Sequence, residues 1–231
     1  MKNFVIGSVC AGLAISISAA LLPGNVLVQI PGPPMICQPF DIGTANSIGR
    51  SADMKDYDKR NLVKDTLDAL NAKAPVIVRM ETLRRVSVVG YNELPMVREL
   101  MLRLTARALD AEASAKASAI AWFDAGYLAA SLSQMGTELG FDPGRDAGCD
   151  GYLWLKRAAS LAKDDAEIEF AAALATHPAM HKGTQEIYEG HLRNATKFAA
   201  KGSLAEKNIR EHCTNWKVSP EKLSGKADAK K

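Results

Sequence analysis

Between Ala119 and Thr176 the chain alternates large and small side chains at helical spacing, and no other feature narrows its fold as far. Trp122, Phe123, Tyr127, Tyr152, Trp154 and Phe170 supply the bulk. Ala125, Gly126, Ala129, Ala158, Ala159, Ala162, Ala166 and Ala171 leave gaps between them. Large knobs beside small holes let two helices approach closely and fill space at interior density. Such a stretch specifies closely stacked helix pairs. The chain has 231 residues, and its 47% hydrophobic content is enough for one substantial core. Aromatic residues make up only 6% and alanine is abundant, which favours helices over a β-sandwich. The expected fold class is all-α.

The remaining chain reads as four regions. Lys2 gives a charged start, Phe4–Leu22 is apolar or small, and Ser18-Ala19-Ala20 suits cleavage, so residues 1–20 read as a secretory signal peptide. The apolar run is also near the ~18–20 residues that spanning needs, so an uncleaved anchor is the alternative. Cys10 follows Val9 inside the hydrophobic run and does not suit lipid attachment. The expected location is therefore outside the cytoplasm, periplasmic or secreted, with no membrane contact beyond this segment. Residues 21–54 carry Pro23, Pro31, Pro33, Pro34 and Pro39, which no helical period survives. They read as an extended leader that lies along the domain or stays mobile. Its one apolar segment, Ile36 to Gly43, is suited to docking on the helical body. Residues 55–214 form the helical domain. Residues 215–231 are rich in Lys, Ser and Ala and read as a solvated tail.

Within the domain, Leu62, Val63, Thr66, Leu67 and Leu70 give a helical stripe over 55–73, with Asp53 or Asp58 as its cap. Residues 75–88 mix β-branched pairs with a Glu81–Arg85 i,i+4 pair, and a helix is expected. Val97, Leu100, Met101, Leu104 and Ala108 predict a helix opened by Pro95. One long helix, or two with a soft joint, covers 110–135. The glycines of 136–150 make a loop. Helices follow at 151–162, 164–176, 179–201 and 204–213.

The run from Trp154 to Ala171 orders an aromatic, a double alanine, a turn, an alanine and a large apolar residue. In this it resembles a Sel1-like or tetratricopeptide helical hairpin. Ala162 stands where Sel1-like repeats place glycine, and Phe170-Ala171 where Leu-Gly is usual. Aromatic landmarks at Tyr91, Trp122, Trp154 and Tyr188 are spaced 31, 32 and 34 residues, against a period of roughly 34–40 for such repeats. The resemblance covers 117–200. It implies a short superhelical stack that binds another protein or a peptide and carries no chemistry. An irregular helical bundle is the alternative.

Net charge is +3 and the pI about 8.6, so neither nucleic acid nor a strongly charged partner is implied. Trp122, Tyr127, Tyr152 and Trp154 are the candidate groove residues, because the aromatics of 122–127 occupy more than one helix face. Either that helix is buried on two sides or one aromatic lines a groove. The runner-up function is a small metal-dependent or hydrolytic enzyme using His177, His181 and Glu186, near His191 and Glu189. Pro178 separates the two histidines, and no HExxH, GxSxG or phosphate loop is present. His212 beside Cys213 suits thiol activation only if the two side chains meet. Asp164, Asp165, Glu167 and Glu169 read as a solvated helix face. No cofactor is expected. Cys37, Cys149 and Cys213 remain after cleavage, and Cys149–Cys213 is the preferred disulfide.

Overall fold

In the computed structural model the structure describes residues 32–49, 57–71, 73–111, 115–135, 151–219 and Leu223. The expected signal peptide and Cys149, hence the Cys149–Cys213 pairing, lie outside the described residues. Every regular element among the described residues is helical. We number them α1 (Pro34–Cys37), α2 (Leu62–Ala69), α3 (Val76–Gly90), α4 (Leu94–Asp110), α5 (Ala115–Gln134), α6 (Gly151–Leu161), α7 (Ala166–Ala175), α8 (Gln185–Phe198) and α9 (Leu204–Asn215). None is long and apolar enough, among the described residues, to cross a membrane.

The organising helix is α5, which packs on α1, α3, α4, α6 and α7. Its tightest neighbour is α6, and the reason is two glycines. A Cβ on Gly126 would sit 2.9 Å from the Leu155 nitrogen, 3.0 Å from the Gly151 oxygen and 3.0 Å from Trp154 Cβ. Gly151 in turn faces the backbone of Ala130. The small residues are thus the holes that the sequence pattern called for. Gly126→Ala must push two backbones apart, and overpacking of this kind costs about 1–3 kcal/mol although alanine is the better helix former. Thermal melts should show a lower Tm; an unchanged Tm would contradict this close contact.

The expected hairpin forms. Helix α6 turns at Ala162–Asp165 into α7, with Asp164 in the left-handed region at φ 63° and Asp165 capping Glu167 and Ile168. Aspartate tolerates that conformation where most residues do not. Helices α7 and α8 pack closely as the next pair. The domain is therefore an all-α fold of stacked helix pairs.

Two helices are buried nearly all round. In α7, Ile168 and every residue from Phe170 to Ala175 are buried. In α3, the β-branched residues that made the sequence ambiguous (Val76, Ile77, Val78, Val86 and Val89) all reach the core. A helix buried on every side has no single apolar face to show, so its period is faint. Helix α2 is shorter than expected: a 3-10 turn at Lys59–Asn61 precedes it, and Asp58 supplies the cap to Arg60.

Residues 32–49 of the leader are part of the core. Met35, Ile36, Phe40 and Ile48 are buried, and Phe40 meets Phe170 edge-to-face at 6.2 Å. Backbone polar groups here lack helical partners, and side chains take their place. Glu81 accepts from the Phe40 nitrogen at 3.1 Å, and Gln134 accepts from the Met35 nitrogen at 3.1 Å. Arg84 donates to the Ile36 oxygen at 2.9 Å, and Arg85 to the Ile48 oxygen at 2.9 Å. Asn208 brackets Asp41 by accepting from its nitrogen and donating to its oxygen. The apolar side chains of 32–49 are spent on the chain's own body. At the other end, Trp216, expected in the solvated tail, is half-buried and lies 4.0 Å from the His177 ring.

Candidate functional site

The four groove candidates separate into three environments. Tyr127 is completely buried and stacks on Phe123 at 5.6 Å. It belongs to the two-sided core of α5 and lines no groove. Burial pushes its hydroxyl well above the usual tyrosine range.

Trp122 and Trp154 meet. Their rings are 5.2 Å apart at 82°, an edge-to-face pair bridging α5 and α6. Both are half-buried. Arg157, one turn after Trp154, lays its guanidinium 4.8 Å from the Trp122 ring, a cation–π contact. Around them lies a cleft of about 460 Å³, open to solvent and lined by Trp122, Leu153, Trp154, Lys156, Arg157 and Ser160. Leu153 is 55% exposed. Ser160 donates to the Arg157 oxygen at 2.7 Å, so its hydroxyl is turned to its own helix. Sequence reasoning missed Leu153 and Arg157. The available signal was their spacing: 153, 156/157 and 160 form one stripe of α6 beside Trp154.

Tyr152 points elsewhere. Its hydroxyl is 3.2 Å from His191 Nε2, and His191 Nδ1 is 2.7 Å from Glu169 Oε2. Three helices thus contribute a hydroxyl, an imidazole and a carboxylate in line. A neutral His191 that donates from Nδ1 to Glu169 leaves Nε2 to accept from Tyr152. This corrects the reading of the acidic run as a solvated face. Glu169 is held by His191, Glu167 accepts from the Ile77 nitrogen at 2.9 Å, and Asp165 caps α7.

His177, His181 and Glu186 do not assemble. Among the described residues no group of three His, Cys, Asp or Glu side chains could hold a metal ion. The turn after α7 tucks His177 inward, 4.8 Å from the Tyr188 ring and 5.6 Å from the His212 ring, while Glu186 stays exposed at the start of α8. Burial lowers His177 to about 4, and burial with the His177 charge lowers His212 to about 3. Both rings are therefore neutral at pH 7. His212 Nε2 is 2.9 Å from the Tyr188 hydroxyl, and burial pushes the Cys213 thiol up to about 11. That is the opposite of thiolate activation.

A second cleft of about 380 Å³ lies further along the α5–α6 seam, where α6 turns into α7, lined by residues that include Lys116, Ile120, Leu161, Lys163 and Asp164. The class of protein defined by these observations is an all-α domain of stacked helix pairs with an aromatic cleft at one seam. No protein-family model matches the sequence, and no curated protein or solved structure matches it either.

Proposed function

We propose that this is an exported, non-enzymatic helical domain that binds another protein or a peptide, as a scaffold or accessory subunit. The observation that carries the reading is the open cleft in which Trp122 and Trp154 sit beside exposed Leu153. Tryptophan and arginine dominate the energetics of protein contacts, and a solvent-open cleft of this size accommodates one or two partner side chains. The paired helices α5–α6 and α7–α8 are compatible with a short tetratricopeptide- or Sel1-like stack, which supports the same reading. Export rests on the N-terminal sequence alone.

The test is cross-linking capture from the cell envelope with the mature protein and two variants. Leu153→Asp alters only a solvent-facing side chain, so its fold should persist. Trp122→Ala removes the aromatic wall and is checked by circular dichroism. A partner retained by wild type should be lost by about tenfold or more in Leu153→Asp. If that folded variant captures the same partner undiminished, the cleft is not the binding surface.

A second reading has one specific observation behind it, the Tyr152–His191–Glu169 array. Its order matches a nucleophile or acid, a base and an orienting carboxylate. It would place a hydrolytic function on these residues rather than on His177, His181 and Glu186. Ester hydrolysis that disappears in a folded His191→Gln variant would favour it.

A further inference from the structure

We infer that the Trp122–Trp154 cleft takes an acidic segment bearing an exposed apolar side chain; this rests on the binding role proposed above and names the chemistry of its partner. Among the described residues that line it, the cleft has one sign of charge: Lys156 and Arg157 stand on its rim, both exposed, beside Trp122, Leu153, Trp154 and Ser160. Neither cation makes an ion pair among the described residues. On α2, α4 and α9 some exposed cations are neutralised in place, Lys64 by Asp68, Arg103 by Glu99 and Arg210 by Glu206, whereas Lys197 on α8 makes no ion pair among the described residues either; what marks the cleft is that two such cations stand side by side on an aromatic surface. The second cleft on the same seam mixes Lys116 and Lys163 with Asp164 and Asp165, and so has no preference of sign.

Arg157 is also pre-positioned. Its guanidinium already lies over Trp122, so part of the ordering cost of its long side chain is met before a partner arrives. A guanidinium fixed on an aromatic face keeps its edge free for a carboxylate, which it can hold with two parallel hydrogen bonds. The apolar side chain of the same segment would then lie against Leu153 and the two indoles. Charge at the rim steers the encounter and selects the partner, and aromatic burial supplies the affinity. A basic segment would meet two unscreened like charges at the rim, and a purely apolar one would leave them unused.

The experiment uses the mature full-length protein and an array of synthetic peptides in three sets. Each peptide carries one Leu, Phe or Trp, set among Asp and Glu, among Lys and Arg, or among Ser and Gly. The acidic set should be retained in preference to the other two. Its binding should weaken about tenfold in a Lys156→Glu/Arg157→Glu variant, and also as salt rises from about 0.05 to 0.5 M, because rim charges are screened beyond a Debye length. Leu153→Asp should abolish it. If peptides bind with no acidic preference, and the double charge variant leaves binding unchanged while Leu153→Asp still removes it, the acidic inference fails and the binding cleft stands. If no set binds and Leu153→Asp leaves envelope capture intact, both fall.

Discussion

Asp124→Ala should cost the domain about 3–5 kcal/mol, a large share of the roughly 5–15 kcal/mol that holds a domain of this size together. Asp124 lies on α5 with no exposed surface, and Arg79 on α3 donates to it at 2.7 Å from an equally buried position. Arg79 also donates to the oxygens of Leu70, Asn71 and Ala74. One guanidinium therefore ties the α2–α3 connection to the central helix. Arg107, partly exposed on α4, reaches the same carboxylate at 3.6 Å and donates to the Leu70 oxygen at 2.9 Å. Burial raises the Asp124 carboxyl to about 6 while both arginines pull it down, so it is ionised at pH 7. Removing it strands a buried charge with no water to solvate it. Urea unfolding followed by circular dichroism measures the loss. A double variant, Arg79→Met/Asp124→Leu, should recover much of it, since an apolar pair strands nothing. A loss below about 1 kcal/mol in Asp124→Ala would mean that the pair is solvated and the connection is held some other way.

Acid should weaken the fold well above the pH at which ordinary carboxylates protonate. His177 and His212 pack ring to ring at 5.6 Å between α7, α8 and α9. The rings in contact with them are Phe170, Tyr188 and Trp216, and Cys213 follows His212 in the chain. Tyr188 and Cys213 are themselves raised by burial and stay neutral in acid. Both histidines are lowered, to about 4 and about 3, from an unfolded value near 6.5. The unfolded chain therefore binds more protons than the folded one below pH 6.5. Their contribution is fully present above that pH and is lost as pH falls toward 4, with about 1 kcal/mol per pH unit for each ring. Asp124 and Glu167, whose carboxyls burial raises, act in the opposite sense, Asp124 from about pH 6 downward, and so offset part of this loss. The informative comparison is thus wild type against His177→Gln/His212→Gln in the same background. Wild type should lose several kcal/mol between pH 6.5 and 4.5 relative to the variant. Parallel curves for the two proteins would show that neither ring is held neutral.

The polar residues that matter most for this fold were visible as residues but not as roles. The Glu81–Arg85 pair was legible as an i,i+4 spacing, and it forms at 2.7 Å. Nothing local said that Glu81 would be 1% exposed and also bind Arg84 and the Phe40 nitrogen. That partner comes from 41 residues away. Likewise Glu169 is one of four acidic residues in a short run, and only the packing of α8 brings His191 to it. The notion of Trp122, Tyr127, Tyr152 and Trp154 as one groove failed for the same reason. Residues two apart on α6, Tyr152 and Trp154, point about 200° apart, one toward α8 and one toward α5.

That the described residues are helical, and where most of their helices start and stop, is legible in the sequence. Those are local matters: alanine content, apolar stripes such as Val97–Met101–Leu104–Ala108, prolines at helix starts and small residues where helices touch. Which side chains share a site follows only from packing, because the defining contacts (Trp122 with Trp154, His177 with His212, Phe40 with Phe170) join residues distant in the chain. Periodicity says which face of a helix is apolar. It does not say which neighbour covers that face, and a binding surface is the part that no neighbour covers.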